Sequence, residues 1–598
     1  MPPDLPALSM VQMLRKRAVD TPRRTALRQK DFGIWTPLSW AEYWERARAF
    51  GLGLESLGLP PGGHLAILSE NRVEWVLAQF GAGAVGAVTV GVYPTSPSPE
   101  VAYVVGHAEA EIIVCEDQEQ TDKVLEARAE LPRLRKIVVI DPKGLRGYLD
   151  EMIITFAEVE ALGRGRDSAE IEARVSDQSM SDVALMIYTS GSTGPPKGAM
   201  LTWANLRAQA AAVMERLSEG SHSTHLSYLP LCHIAEQIFT TVGPVYAGGV
   251  VNFGESLRTV QEDLREIAPT SFLGVPRIWE KMHSSIHIKM LEAGPLRRRI
   301  YERAMAACGP LAEKPRGEWT LRDRFAFGLS YLLVFRALQN FVGLRKAEIV
   351  MTGAAPAPPG VIRYFRTIGL PLIELYGQTE ASGVVTAQTP ETALLGAVGA
   401  PVLGAQCRIS ERGELLVRGP LVFAGYYKAA EKTEDTVRDG WLHTGDVVEP
   451  AEGGQYRIVD RLKDIMITAG GKNLSPTEIE SAVKASPYVK ECIVIGEKRK
   501  YVAALIQIDL ETVGKWAEER RIAFTNFRNL VEQDAVRDLI DAEVARANAG
   551  LAQVAQIRRF TLLTKELDHD DDEVTATMKI RRSNIERKYK AEIEGLYT

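Results

Sequence analysis

A segment rich in hydroxyl groups and glycine, followed closely by a lysine, is the part of this sequence whose chemistry is easiest to infer. It comprises Thr189, Ser190, Gly191, Ser192, Thr193, Gly194 and Lys197. An apolar run at 183–187 precedes it, and a helical pattern follows from about Trp203. Backbone N–H groups and side-chain hydroxyls in this density suit a loop that wraps phosphate oxygens, and Lys197 adds a cation. A flexible linker would need neither the lysine nor the apolar run, so the spacing predicts a phosphate-binding loop.

The loop is not a Walker A motif, because the spacing G-x-x-x-x-G-K-[ST] cannot be laid on these residues. It resembles the phosphate loop of the adenylate-forming superfamily, which contains acyl-CoA synthetases, peptide-synthetase adenylation domains and beetle luciferases. Further motifs that resemble those of the superfamily follow in its order, at Gly353-Ala354-Ala355-Pro356, at Tyr376-Gly377-Gln378-Thr379-Glu380, and at residues 440–446, 460–464 and 577–582. Together the motifs span nearly the whole chain, which makes the resemblance specific.

The resemblance implies that the earlier motifs bind the base and the phosphates of ATP. Residues 353–356 would lie on the adenine side, and Tyr376 would stack its ring on adenine, with the next two residues beside the base. Thr379 would bond the α-phosphate. Glu380 is a hard oxygen ligand suited to Mg2+, which favours one or two carboxylates together with phosphates. ATP and Mg2+ are therefore expected at this site.

The later motifs imply a ribose contact, a hinge and a catalytic lysine. Asp446 would accept hydrogen bonds from both ribose hydroxyls, and Arg461 would donate to the same sugar. Asp460 matches the hinge about which the superfamily rotates its small domain between two half-reactions. Lys579 would bring positive charge to the reacting carboxylate and the α-phosphate. Because glycine lets a backbone pass closely, a channel for the coenzyme A thiol is assigned to Gly470, Gly471 and Lys472.

The reaction that such a site implies follows from charge. A carboxylate is a poor electrophile, and attack of its oxygen on the α-phosphate of ATP gives an acyl-adenylate and pyrophosphate. The protein must bring two anions together and neutralise the charge that develops. A thiolate then displaces AMP from the mixed anhydride, so coenzyme A is the expected co-substrate.

Stretches at 229–236, 274–281 and 467–473 resemble bacterial long-chain fatty-acyl-CoA synthetases, including relatives of the animal bubblegum type. The resemblance implies an acyl pocket and assigns to it His233, Glu236, Gly274 and Val275, with His233 also counted as catalytic. A lone histidine beside apolar residues could equally be a packed core residue. The expected activity is that of a long-chain fatty acid–CoA ligase. The alternatives are a fatty-acyl-AMP ligase, a ligase for another acid or for a carrier-protein thiol, and a catalytically silent scaffold.

The elements that must hold these residues indicate an α/β fold. Short apolar runs in the first half of the chain alternate with helical patterns, and the runs lie at 65–68, 88–92, 112–115 and 136–140. This alternation predicts βαβ units and a parallel sheet.

A change in the pattern of predicted strands and helices divides the chain into two predicted domains. We expect a large domain at 1–459, which carries a helical insertion at about 282–344, and a small mobile α+β domain at 460–598. The insertion is basic, and a solvated helical face is expected there, with a surface for a membrane or an acidic partner as the alternative. The last helix is predicted to begin at Ser583, because Glu586 follows it at the spacing of a capping box.

Composition narrows the class of protein. The 598 residues are 45% hydrophobic and 25% charged, which is typical of a globular chain and excludes a disordered or fibrous one. Lys and Arg number 71 and Asp and Glu 77, so a net charge of −6 gives no general reason to bind nucleic acid. Five dispersed cysteines predict neither disulfides nor a structural zinc site. We expect a cytoplasmic protein without a signal peptide or membrane span; peripheral contact with the inner membrane face, and a monomer or homodimer, stay open.

Overall fold

A computed structural model describes residues 8–189, 195–470, 472–568, 571, 573–574 and 580–598. Several predicted site residues therefore lie outside the described residues: Ser190, Gly191, Ser192, Thr193 and Gly194 of the phosphate loop, Gly471, and Lys579.

The strands of the described chain, in order, are β1 (Thr25–Asp31), β2 (Ile34–Ser39), β3 (His64–Leu68), β4 (Val88–Val92), β5 (Ile112–Cys115), β6 (Lys136–Val139), β7 (Ile153–Thr155), β8 (Val183–Thr189), β9 (Lys197–Thr202), β10 (Thr224–Ser227), β11 (Val250–Phe253), β12 (Ser271–Gly274), β13 (Ile349–Thr352), β14 (Leu372–Gln378), β15 (Gly383–Ala387), β16 (Ala400–Pro401), β17 (Gln406–Ile409), β18 (Glu414–Arg418), β19 (Gly425–Tyr426), β20 (Val437–Arg438), β21 (Trp441–Ala451), β22 (Gln455–Arg461), β23 (Met466–Ile467), β24 (Asn473–Leu474), β25 (Val489–Ile495), β26 (Val502–Ile508) and β27 (Ile557–Leu562).

The α-helices are α1 (Met10–Asp20), α2 (Trp40–Ser56), α3 (Val73–Ala84), α4 (Ser98–His107), α5 (Gln118–Glu126), α6 (Phe156–Arg164), α7 (Ser168–Ser176), α8 (Trp203–Arg216), α9 (Ile234–Glu236), α10 (Gly243–Ala247), α11 (Val260–Ile267), α12 (Pro276–Leu291), α13 (Pro295–Cys308), α14 (Leu321–Ser330), α15 (Arg336–Phe341), α16 (Pro359–Thr367), α17 (Ala430–Thr436), α18 (Pro476–Lys484), α19 (Leu510–Glu519), α20 (Phe527–Val531), α21 (Asp534–Asn548), α22 (Arg582–Lys588) and α23 (Lys590–Gly595). A π-helical turn, Tyr331–Phe335, joins α14 to α15.

The apolar runs predicted as strands form the centre of an eight-stranded sheet with the order β19-β9-β8-β4-β3-β5-β6-β7. The strands β8, β4, β3, β5, β6 and β7 are parallel neighbours, whereas β9 and β19 pair antiparallel at one edge. Helices cover both faces, so nearly every residue of β3 and β4 is buried, as expected for a parallel sheet. The α/β fold predicted from the sequence is confirmed.

A second mixed sheet has the order β12-β13-β14-β15-β16. Its first three strands are parallel, and β14 turns back into β15 through a short antiparallel pair. Parallel strands end at the same edge of a sheet, so the segments that follow β12, β13 and β14 lie side by side there. This edge receives three of the predicted motifs.

The residues after β22 form a smaller α+β unit around the sheet β25-β26-β27. Every residue of β26 is buried, because alternate side chains pack into two different apolar clusters. Val502, Ala504 and Ile506 face helices α18, α19 and α21. Ala503 and Leu505 face α22 and α23.

The start of the last helical segment differs from the prediction. Helix α22 begins at Arg582, and no side chain caps it, so Ser583 lies inside the first turn. The Arg582 guanidinium donates to both carboxylate oxygens of Glu480 on α18, at 2.7 and 2.8 Å. This tertiary ion pair holds the beginning of the helix. The expected cap at Ser583 is wrong for that reason.

No helix within the described ranges is long and apolar enough to cross a membrane.

Candidate active site

The phosphate loop joins two antiparallel strands. Strand β8 ends at Thr189 and β9 begins at Lys197, and these two residues face each other in the register. The two ends of the loop therefore lie side by side at the edge of these strands, and Lys197 is at one of these ends.

Lys197 contacts a tyrosine that sequence reasoning missed. Its Nζ lies 4.1 Å from the ring centroid of Tyr426, and the Tyr426 hydroxyl donates to Glu380 Oε1 at 2.6 Å. Burial lowers the pKa of Lys197, while the nearby Glu380 carboxylate opposes that shift. Tyr426 thus links the predicted phosphate cation to the predicted metal carboxylate.

Tyr426 reaches this position through a strand that contributes only two residues. Strand β19 pairs with β9, with Tyr426 opposite Ala199 and Gly425 opposite Met200. Gly425 has φ of 126°, a conformation that glycine tolerates and other residues rarely adopt. The aromatic ring is buried and packs edge-on against Phe423, with centroids 4.8 Å apart. A Gly-Tyr pair carries no recognisable signal in the sequence alone.

The predicted ribose site is formed by three side chains in mutual contact. The Tyr376 hydroxyl donates to Asp446 Oδ2 at 2.6 Å, and Arg461 Nε lies 3.2 Å from Asp446 Oδ1. Asp446 faces Arg461 because β21 and β22 pair antiparallel with these residues opposite each other. Burial and the Asp446 carboxylate raise the pKa of Tyr376. The carboxylate is therefore oriented by two partners, of which Arg461 is exposed to solvent.

The loop predicted on the adenine side follows β13, next to the end of β14. Ala354, Ala355 and Pro356 are exposed, whereas Gly353 is buried. Ala354 adopts a left-handed backbone with φ of 67°. This sharp turn presents the loop at the edge where Tyr376 also lies.

The rest of the Tyr376 motif has little free space. A Cβ on Gly377 would lie 1.7 Å from the Gly383 carbonyl oxygen, so the tight turn from β14 to β15 requires glycine. Thr379 is buried at the start of a short 3-10 turn, Thr379–Ala381. Gln378 Nε2 is buried and has no hydrogen-bond partner among the described residues. It is a donor available to a ligand.

The residues assigned to the acyl pocket lie in two places. Gly274 ends β12 and Val275 precedes α12, at the same sheet edge as the nucleotide motifs. The Trp279 indole Nε1 donates to the Gly274 carbonyl oxygen at 3.0 Å, and a Cβ on Gly274 would lie 2.6 Å from that nitrogen. Gly274 therefore packs beneath Trp279.

His233 and Glu236 stand at the start of α9. His233 Nδ1 accepts from the Ala235 backbone N–H at 3.2 Å. Glu236 is buried, and its Oε1 accepts from the hydroxyls of Ser227 and Thr240 at 2.7 and 2.5 Å. Burial raises the pKa of Glu236 to about 7, and the two hydroxyl donors oppose the shift. Glu236 is thus held by neutral donors.

Asp460, the predicted hinge, is buried at the end of β22. Its carboxylate accepts from the Ser475 hydroxyl at 2.6 Å and from the Thr477 hydroxyl at 3.1 Å. The side chain therefore ties β22 to the first turn of α18.

The two described residues of the predicted thiol channel are in a different environment. Gly470 and Lys472 are exposed in the turn between β23 and β24. A Cβ on Gly470 would meet only the Thr468 hydroxyl, at 3.9 Å. The structure does not bring these residues to the sheet edge that groups the nucleotide motifs.

The smaller unit docks on α12. Arg277 donates to Glu491 at 3.1 Å, and His287 Nε2 lies 2.9 Å from the Tyr488 hydroxyl. Lys484 also pairs with Glu491, at 3.0 Å. Burial by itself would raise the pKa of Glu491, but the Lys484 and Arg277 cations outweigh that effect and lower it.

The predicted adenine-side loop and Tyr376 lie at the edge of one sheet, Asp446 comes from β21 of a second sheet and Lys197 from β9 of a third, a grouping typical of an adenylate-forming enzyme. The chain belongs to the AMP-binding enzyme family, whose model matches residues 14–427, and a model of the AMP-binding enzyme C-terminal domain matches 463–598. The resemblance inferred from the motifs is confirmed.

Similar proteins cover nearly all of the chain. The long-chain-fatty-acid–CoA ligase FadD15 of Mycobacterium bovis is 33% identical over 571 residues, which are 94% of this chain and 93% of that protein. The long-chain-fatty-acid–CoA ligase ACSBG2 of Xenopus laevis is 29% identical over 630 residues, 99% of this chain and 84% of its own. The adenylation domain of a Mycobacterium chelonae carboxylate reductase has a TM-score of 0.77 at 21% identity, covering 99% of this chain and 92% of that one. The last similarity supports the fold.

Proposed function

We propose that this protein is an ATP-dependent long-chain fatty acid–CoA ligase that works through an acyl-adenylate. The observation that carries the proposal is the grouping of two contact sets, Tyr376–Asp446–Arg461 and Lys197–Tyr426–Glu380, around the end of β14 and the phosphate loop. The choice of fatty acid rests on the ligases to which the chain is similar.

In the first half-reaction the nucleotide is held from both ends. Asp446 accepts from the ribose hydroxyls, and Arg461 donates to the same sugar. Lys197 and the hydroxyls of the phosphate loop bind the β- and γ-phosphates, and Thr379 binds the α-phosphate. The fixed donors compensate charge as the fatty acid carboxylate attacks the α-phosphate.

Glu380 would hold Mg2+ together with phosphate oxygens. One carboxylate beside a phosphate site fits the preference of this cation, which keeps several waters and few protein ligands. When bound, the ion neutralises the charge of the leaving pyrophosphate.

In the second half-reaction coenzyme A attacks the acyl-adenylate and AMP leaves. We propose that residues 460–598 then adopt a second orientation, with Asp460 as the pivot and with Gly470, Gly471 and Lys472 along the path of the thiol. Lys579 serves only the first orientation. The acyl chain lies near His233, Glu236, Gly274 and Val275. The protein acts in the cytoplasm on fatty acid, ATP and coenzyme A, as a monomer or homodimer.

The test is a panel of acids, from acetate to very long chains and including benzoate, scored by AMP released with and without coenzyme A. Each buried methylene adds about 0.8 kcal/mol of binding, so long-chain acids should be strongly preferred. Equal rates with acetate would contradict the proposed substrate. AMP release that needs a carrier protein instead of coenzyme A would favour the fatty-acyl-AMP ligase, and the absence of pyrophosphate exchange with every acid would favour the silent scaffold.

A second experiment separates the half-reactions. Lys579→Ala should lower adenylate formation on the order of 10²–10³-fold, the typical cost of one preorganised donor. Thioester formation from supplied acyl-adenylate should be largely spared. Lys590→Ala, at an exposed position of α23, is the matched control. Arg582 is unsuitable as a control because its ion pair with Glu480 holds the fold.

A further inference from the structure

The helical insertion carries an apolar stripe on its outer side. Helix α14, the π-helical turn and α15 form one continuous helical stretch over 321–341. Five large apolar residues of this stretch are exposed by 50–85%: Leu333 and four others, which are Leu321, Phe325, Leu329 and Leu332. Their spacing of four, four and three residues puts them on one side of a helix. We call these four residues the outer stripe.

The opposite side of the same stretch is the one that packs on the protein. Phe335 and Leu338 are buried in the apolar cluster beneath it, and the Phe327 ring lies tilted against Trp319 with centroids 5.0 Å apart. The folded chain therefore already covers one apolar side of this helix. The exposed leucine and phenylalanine side chains on the other side have no such cover within the described part of the chain.

Charge identifies what would cover the outer stripe. Residues 295–346 contain eleven Lys and Arg and four Asp and Glu, a net charge of +7, in a chain whose total is −6; the other residues thus carry −13. Exposed arginines in this region that form no ion pair within the described part of the chain are Arg297, Arg299, Arg303, Arg316, Arg322, Arg324, Arg336 and Arg345. Arg322 and Arg324 flank the outer stripe directly.

The combination of exposed leucine and phenylalanine with unpaired arginine matches the interface of an anionic bilayer. A second copy of this chain would bring +7 against +7, which opposes association through this face. Nucleic acid would pair with the arginines but would leave the leucines in water. A lipid surface satisfies both groups, because headgroups pair with the arginines and acyl chains receive the apolar side chains.

We propose that the insertion docks the protein on membranes that contain anionic lipid, with the outer stripe inserted at the boundary between headgroups and acyl chains. This interaction does not require the ligase activity proposed above. It would bring the enzyme to the phase in which long acyl chains dissolve.

The test measures co-sedimentation of the full-length protein with vesicles of phosphatidylcholine alone and of phosphatidylcholine mixed with phosphatidylglycerol. Binding to the anionic vesicles should be roughly tenfold or more tighter and should weaken with added salt. The triple variant Leu321→Ser, Phe325→Ser, Leu332→Ser should lose at least about tenfold in affinity for these vesicles. The variant Arg297→Gln, Arg322→Gln, Arg324→Gln should lose a similar factor and most of the salt dependence.

Matched controls change the same residue types elsewhere on the surface. Phe32→Ser with Leu149→Ser removes exposed apolar side chains, and Arg258→Gln with Arg412→Gln removes exposed arginines. Both controls should bind vesicles like the parent chain. AMP release with a water-soluble medium-chain acid should be equal in all of these proteins, so a failure of the ligase assignment is seen separately from a failure to bind lipid.

Three results would overturn the proposal. The first is equal or absent binding to the two kinds of vesicle. The second is undiminished binding by both insertion variants. The third is a concentration-dependent dimer, seen by analytical ultracentrifugation, that the serine variant abolishes while its vesicle binding is unchanged.

Discussion

The cleft around the end of β14 and the outer face of the insertion differ in whether their charged side chains have partners within the protein. In the cleft the charged groups of the predicted site contact other side chains: Asp446 contacts Tyr376 and Arg461, and Lys197 contacts the tyrosine that binds Glu380. Over residues 295–346, eight exposed arginines form no ion pair within the described ranges.

This difference teaches what kind of partner each region suits. Side chains held by several partners lose little further conformational entropy when a small ligand binds, so they can impose one geometry on a nucleotide. Exposed arginines without an ion-pair partner impose no fixed geometry, and they suit a partner whose charges are spread out. Variants in the two regions should therefore change different measurements.

The largest effect should follow the loss of the ribose carboxylate. Asp446→Ala removes the acceptor for two sugar hydroxyls and leaves Tyr376 and Arg461 without their partner. Hydrogen bonds to a charged group contribute about 1.5–3 kcal/mol each, so kcat/KM for ATP should fall on the order of 10²–10³-fold. Pyrophosphate exchange measures this rate. Asp435→Ala, outside the site, should leave the rate of pyrophosphate exchange unchanged. If Asp446→Ala lowered this rate only slightly, the proposed role of Asp446 in binding ATP would be contradicted.

The next effect concerns Glu236, a carboxylate held by neutral donors and not by a cation. Burial raises the pKa of this carboxyl group from its usual 4.5 to about 7 in the folded protein. The folded state thus holds the proton more tightly, so this contribution to stability is complete below pH 4.5 and is lost as the pH rises through 7. The loss amounts to about 1–3 kcal/mol at most.

Chemical denaturation of the parent chain and of Glu236→Gln at pH 5 and pH 8 tests this. The parent should lose unfolding free energy relative to the variant between the two pH values. Glu374, whose pKa burial raises to about 8, is present in both proteins and cancels in the difference. Parallel pH profiles would show that Glu236 keeps its charge when folded.

A smaller kinetic effect is expected at Tyr426. Tyr426→Phe keeps the ring over Lys197 but removes the hydrogen bond to Glu380. The apparent affinity for Mg2+ and ATP in adenylation should therefore fall roughly tenfold. Tyr426→Leu, which also removes the ring, should weaken it further. Tyr427→Phe is the control, because this neighbouring hydroxyl contacts Glu109 and not Glu380. Equal adenylation rates for the phenylalanine and leucine variants would show that the aromatic ring itself has no role.

The smallest effect should be on stability at the insertion. Arg322→Gln and Arg324→Gln remove exposed charges that pair with no described residue, so the unfolding free energy should change by less than about 0.5 kcal/mol. Thermal unfolding measures this. A clear destabilisation would mean that these arginines hold the fold, and the contrast with the cleft would disappear.

The sequence by itself determined the family and the parallel sheet, and it predicted most of the residues that we propose for the nucleotide site. Alternating strand and helix patterns are local, and so are motifs such as Tyr376 to Glu380, whose residue types are set by direct contact with a ligand. Asp446 and Arg461 were found for the same reason, although the antiparallel pairing that joins them appears only in the structure.

Contacts between distant segments were decided only by the tertiary structure. Tyr426 is a site residue because β19 pairs with β9, and nothing local marks such a pairing. The last helix begins at Arg582 because that residue pairs with Glu480, about a hundred positions earlier, which overrides the capping signal at Ser583. Residues 327–344 form a mostly apolar run in the sequence, interrupted by Arg336, Gln339 and Asn340. Which of its apolar side chains pack and which face outward depends on the elements beneath the helix. Burial, likewise, is a property of the folded chain, and it alone gives Glu236 its raised pKa.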